Sequence, residues 1–237
     1  MNTKTILTLL GVVLFGAGLV MAISGAAVSN VSPQERWVVN ETAGNVTTEG
    51  GNITYVNVGA NSLTDRWAAF YGNVTGGLVL RDNTNTTAAV FQWNSWNASA
   101  GGVVCASQDS ELAWIDLLAI TGNEIDVYEM SFDPGASDSA TNTLTDLSDD
   151  CTAMNFGENL MSVASGYVKH TTGQYWTCAF YDVKSISPEI VTVPVYCTNI
   201  TDGSLNFKAE PVNYEVMVPT YFGPDTYTTY YFYAQLN

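Results

Sequence analysis

The sequence predicts an all-β protein, a β-sandwich of Ig-like or jelly-roll-like type, carried on an exported chain. Short runs rich in Val, Ile, Thr and aromatic residues recur at roughly ten-residue spacing, punctuated by Gly, Asn, Asp and Pro. Helical periodicity is confined to one short segment and to an apolar run at the N-terminus. Hydrophobic residues make up 46% of the 237 residues, enough to build a sizeable core and to exclude global disorder.

The N-terminal run comes first. Ile6 to Val28 carries no charge, Lys4 precedes it, and Glu35 and Arg36 are the first charges after it. A secretory signal peptide fits this layout, with Ala27-Val28-Ser29 before Asn30, or Ala22-Ile23-Ser24, as the small-residue cleavage site. An uncleaved anchor fits it too, since ~20 apolar residues span a bilayer as a helix. Gly18, Ala22 and Ala26 would then form a small-residue face. Either way Lys4 stays inside and the rest is exported; if the run is uncleaved, residues 6–28 are the expected membrane contact. Residues 1–29 are therefore assigned as signal peptide or anchor, 30–51 as a polar arm, and 52–237 as the β-sandwich domain. The arm contains one apolar patch, Trp37-Val38-Val39.

Within the domain, strands are expected at Asn52–Val58, Trp67–Val74, Leu78–Arg81, Ala88–Trp93 and Gly101–Ala106. Glu111–Ile120 is expected to be the one helix, because Leu112, Ile115 and Ala119 lie at helical spacing, Asp109 or Ser110 can cap it, and Thr121-Gly122-Asn123 can stop it. Strand character returns at Glu124–Phe132, followed by a loop at Asp133–Asp150 where a subdivision is conceivable. Further strands are expected at Ser162–Val168, Gln174–Val183, Ile190–Thr198, Val212–Val218 and Thr226–Leu236.

The cysteines, Cys105, Cys151, Cys178 and Cys197, show no C-x-x-C spacing, which argues for disulfides over zinc or redox motifs. A hairpin turning at Ser187-Pro188 brings Cys178 opposite Cys197, so these two are expected to bond, leaving Cys105 for Cys151. Sequons occur at Asn30, Asn40, Asn45, Asn52, Asn73, Asn85, Asn97 and Asn199, each a potential glycan acceptor on an exported chain.

Arg66-Trp67-Ala68-Ala69-Phe70-Tyr71-Gly72-Asn73-Val74-Thr75-Gly76, with Asn52–Val58 before it and Leu78–Asp82 after it, resembles a segment of uncharacterised exported archaeal surface proteins. The resemblance covers about Gly51 to Trp93 and implies a structural motif: core aromatics, then a Gly-rich turn into a second strand. In layout, an apolar helix followed by a β domain is also similar to archaeal pilins, although Lys4-Thr5-Ile6 departs from the usual pilin cleavage pattern.

Chemistry-bearing patterns are sparse. Lys+Arg total 7 against 23 Asp+Glu, a net charge of -16, so clustered cations for nucleic acid are missing. The single histidine, His170, excludes multi-histidine metal sites, and no G-x-S-x-G elbow accompanies it. Calcium is the one cofactor considered, with Asp146, Asp149 and Asp150 as ligands beside Cys151 and with Asp133 and Asp138 in the same loop. Trp93, Trp96, Tyr175 and Trp176 are candidate sugar-stacking faces. The resulting expectation is not an enzyme. It is a glycosylated surface structural protein, a filament or envelope subunit or adhesin, that self-associates through strand edges. A glycan- or ligand-binding module is the alternative, and a secreted hydrolase comes third.

Overall fold

The computed structural model describes residues 24–29, 31–32, 43–59, 64, 66–80, 91–93, 96–112, 114, 117–120, 137–146, 154–156, 159–161, 167–170, 174–186, 189–220 and 227–237. The chain is all-β, built from several antiparallel sheets. In chain order the strands are β1 (Ser24–Gly25), β2 (Trp67–Gly72), β3 (Leu78–Leu80), β4 (Phe91–Trp93), β5 (Gly102–Ser107), β6 (Leu118–Ala119), β7 (Thr145–Asp146) and β8 (Met154–Phe156). They continue with β9 (Asn159–Met161), β10 (Tyr167–His170), β11 (Trp176–Ile186), β12 (Glu189–Asn199), β13 (Ser204–Leu205), β14 (Pro211–Val212), β15 (Tyr214–Pro219) and β16 (Tyr231–Leu236). A four-residue helix, α1 (Ala140–Thr143), starts at Ser139, whose hydroxyl accepts the Asn142 N–H.

The main sheet runs β1-β16-β5-β12-β11-β10-β7, with β6 also on β11. Its axis is the β11–β12 hairpin, paired from Cys178↔Cys197 to Ile186↔Glu189. This is the expected register, although the turn residues Ser187 and Pro188 lie outside the described residues. Pro194 sits inside β12 without cost to the ladder. β5 ends opposite its neighbour, at Ser107↔Val195, and the Ser107 hydroxyl donates to the Pro194 carbonyl at 3.0 Å.

Both faces of this sheet are covered, which is why every residue of β5 is buried. On one face Val103, Cys105, Cys178, Phe180, Val195, Cys197 and Tyr233 pack with Leu117, Met154 and Phe156. Trp114 closes that layer, stacked on Phe156 at 6.0 Å and edge-on to Tyr233 at 5.0 Å. On the other face Ala106, Ala179 and Tyr196 meet Val216 and Val218 of the two-stranded β2–β15 sheet, with Ala140 and Leu144 beside them. Phe70 of β2 meets Phe232 of β16 at 5.1 Å, edge to face.

Several expectations are corrected. The helix expected over Glu111–Ile120 does not run to its end: Leu118 and Ala119 form β6, paired with Tyr181 and Phe180 of β11, and of the described residues between 111 and 117 Trp114 is in a 3-10 turn. The apolar residues there serve two layers, Leu117 on one face and Ile120 on the other, and an open stretch of β11 supplies ladder bonds that a lone helical stripe lacks. Asn52–Val58 is exposed and forms no strand. The 133–150 loop contains α1 and β7, and Leu144 within it is buried in the core. At the N-terminus, Ser24–Gly25 forms a strand on β16 where the apolar helix was expected to continue to Val28; residues 6–23 lie outside the described residues. Among the described residues no helix is long and apolar enough to cross a membrane.

Candidate functional site

The feature that stands apart from core packing is the outer edge of β16. One side of β16 pairs with β5 along its whole length, from Tyr231↔Ser107 to Leu236↔Gly102. In antiparallel ladders the N–H and C=O of successive residues alternate between the two neighbours. Asn237 N donates to the Gly101 carbonyl, in phase with β16 residues 231, 233 and 235 bonding β5. Phe232, Ala234 and Leu236 therefore aim their main-chain groups outward. Part of that outward row is taken by the chain's own β1, with Ser24↔Ala234 and Ala26 N donating to the Phe232 carbonyl at 2.9 Å. The run Tyr231–Leu236 carries no Lys, Pro or charge to blunt its edge.

Near it in character, though not in sequence, is Asn52–Val58. Ile53, Tyr55 and Val58 are 103%, 85% and 87% exposed. Large β-branched and aromatic side chains exposed on a segment without a ladder are unusual, because strand-forming residues are stabilised by cross-strand partners.

The cysteines form a row. Cys178, Cys197 and Cys105 occupy directly opposed positions on β11, β12 and β5, and Tyr233 of β16 continues the row. The bond joins Cys105 to Cys197, with Cα atoms 4.1 Å apart, and not Cys178 to Cys197 as expected; the Cys105–Cys151 pairing falls with it. The hairpin register was right, but a central strand has two neighbours. Ile200 N bonds the Gly102 carbonyl, so counting along the ladder makes Cys105↔Cys197 an unbonded, closer pair and Cys178↔Cys197 a bonded, wider one. Cys178 is also disulfide-bonded, and no described cysteine is free. Cys151 lies outside the described residues.

Of the sequon asparagines, Asn45, Asn52, Asn73, Asn97 and Asn199 are exposed. Asn97 caps a short 3-10 turn, its Oδ1 accepting from the Ser99 N–H at 3.1 Å and from the Ser99 hydroxyl. Asn30, Asn40 and Asn85 lie outside the described residues. The proposed calcium ligands are not gathered in what is described: Asp146 pairs with Tyr167 in the β7–β10 ladder, while Asp149 and Asp150 lie outside. Among the described residues no group of three or more His, Cys, Asp or Glu is placed to hold a metal. Asp138 instead serves structure, accepting from Thr64 at 2.7 Å, pairing with Arg66 at 3.3 Å, and lending its carbonyl to Trp67 Nε1 at 2.7 Å. His170 is opposite Trp176 in the β10–β11 ladder.

The aromatic candidates for sugar stacking are mostly core. Tyr175 is buried, and Trp96 and Trp176 are half-buried against core clusters. The Tyr175 hydroxyl donates to the Val212 carbonyl at 2.6 Å, clamping β14 to the start of β11. Burial pushes its phenol up to about 12, helped by the Glu215 and Asp202 charges and opposed by the bond to Ser204. An aromatic group that sequence reasoning passed over is exposed: Tyr71 and Phe207 meet edge to face at 5.4 Å, with Lys208 Nζ 5.8 and 5.5 Å from their ring centres. The residues come from β2 and a distant turn, so no local sequence signal announces them.

Set against known proteins, the chain matches no family model, no curated protein and no solved structure.

Proposed function

We propose that this chain is an exported, glycosylated β-sandwich protein of an archaeal cell surface. In this reading it is a structural or adhesive subunit that self-associates through strand edges. The observation that carries it is the outer edge of β16, an uncharged strand whose outward main-chain groups are met, among the described residues, by the short β1. Exposed sequons and a disulfide-bonded core are compatible with an extracellular site, as is the absence of a membrane-crossing helix among the described residues. The β2–β15 sheet stacked on the main sheet supports a sandwich architecture. The experiment is electron microscopy and light scattering of the native exported protein. Polymers or defined oligomers support this function, and a monomer at all concentrations and salts overturns it.

A glycan-binding module is the second reading, favoured by the exposed Tyr71–Phe207–Lys208 group. Aromatic faces beside a cation suit a sugar bearing an acidic group. A glycan array followed by Tyr71→Ala distinguishes it: saturable binding lost in the variant supports the module.

A further inference from the structure

We infer that Asn52–Val58 of one copy adds as an antiparallel strand to the outer edge of β16 in a second copy, and that Ser24–Ala26 is a removable cap on that edge. The inference rests on the strand-edge function proposed above and names its donor, its acceptor and its control.

The edge accepts a strand, because Ser24–Ala26 already sits on it in antiparallel register. Among the described residues that cap meets the outward groups of Phe232 and Ala234. The donor has the composition of a strand and no ladder of its own: Asn-Ile-Thr-Tyr-Val-Asn-Val is exposed and lies outside every sheet among the described residues. Its length suits the slot. Seven residues at about 3.3 Å each span roughly 23 Å, against roughly 20 Å for the six residues of β16.

Side-chain parity matches as well. The main sheet is covered on both faces at β16, with Tyr233 in one core layer and Phe232 in the other. A strand added there must offer apolar groups on both sides. Ile53 and Tyr55 fall on one side of the donor, Val56 and Val58 on the other. Neither Asn52–Val58 nor Tyr231–Leu236 carries a charge, so their contact is free of the repulsion that a net charge of -16 imposes elsewhere. Cleavage after Ser29 would take Ser24–Ala26 away with the leader. The precursor keeps its edge closed, and the processed chain exposes it.

The test uses the exported protein and two variants, Tyr55→Pro and Val56→Pro. Adjacent positions alternate in which neighbour they bond, so one of the two prolines must remove a donor hydrogen bond. Both positions lie in an exposed segment outside every sheet, and an unchanged thermal melt checks that the fold persists. Mass spectrometry of the intact protein reads its N-terminus. Sedimentation velocity reads assembly, and hydrogen exchange reads protection at Phe232, Ala234 and Leu236. The expected result is a chain lacking Ser24–Ala26 that assembles, with at least a tenfold weaker assembly constant and faster exchange at those three amides in one variant. If both variants assemble as the parent does, Asn52–Val58 is not the donor, while strand-edge association survives. A parent that stays monomeric overturns both. A monomer whose β16 protection falls in a variant means the segment folds onto its own sheet, which overturns the exchange between copies. Assembly with Ser24–Ala26 retained overturns the capping role.

Discussion

Cys105 and Cys197 face each other across the β5–β12 ladder at a closer, unbonded position, and their disulfide ties strands separated by 92 residues in sequence. With that bond made and Cys178 also bonded, Cys151 is the one cysteine left in the sequence to join it. Non-reducing peptide mapping is expected to find Cys105 linked to Cys197 and Cys151 linked to Cys178. A Cys178–Cys197 peptide would refute this. Cys105→Ser with Cys197→Ser is expected to cost about 2–5 kcal/mol, since the bond closes a long loop in the unfolded chain.

Gly102 opens β5 at a φ of 142°, and a side chain there would collide with the Gln235 carbonyl of β16 and press on Ile200. Gly102→Ala is expected to destabilise by about 1–3 kcal/mol, from backbone strain and the displaced ladder. Gly203 has a φ of 70° but open space around it, so Gly203→Ala should cost only the local conformational penalty, about 1 kcal/mol. Urea denaturation checks both: the midpoint for Gly102→Ala should fall further with an unchanged slope.

Tyr175→Phe removes the donor to the buried Val212 carbonyl and is expected to cost about 1–3 kcal/mol. The same phenol gives a pH signature. Its folded value is pushed up to about 12 from the usual 10.0, so the unfolded chain loses this proton first. The contribution is complete below pH 10 and declines as pH rises from there towards 12. Tyrosinate absorbance should show Tyr175 ionising late, as a component missing from the Phe variant. Equal alkaline titrations of the two proteins would contradict the burial of this group.

Asn73 is exposed between Gly72 and Val74, at the start of the connection from β2 to β3. It is expected to carry a glycan in the native host, together with at least two other sequons. Asn97 should show lower occupancy than Asn73, because its side-chain oxygen is already engaged by Ser99. Glycopeptide mass spectrometry of native protein measures both, and unmodified peptides at all eight sequons would end the expectation.

What the sequence determined by itself were the quantities set by local pattern. The all-β class followed from short β-branched and aromatic runs at roughly ten-residue spacing, and β2, β5, β12, β15 and β16 fall close to where those runs lie. The register of β11 on β12 was legible because the turn signal Ser187-Pro188 between two β-rich runs leaves few ways to oppose them. Tertiary structure decided everything that depended on a second neighbour. Cys197 bonds Cys105 and not Cys178, because a central strand offers two opposed cysteines and the ladder's phase makes only one pair close. Glu111–Ile120 looked helical because its apolar residues recur at helical spacing, yet β11 drew Leu118 and Ala119 into the sheet with ladder bonds that no local pattern encodes. Asn52–Val58 has the sequence of a strand and no sheet to join within the described chain. Strand propensity is local, but a strand is stabilised only by the partner laid against it.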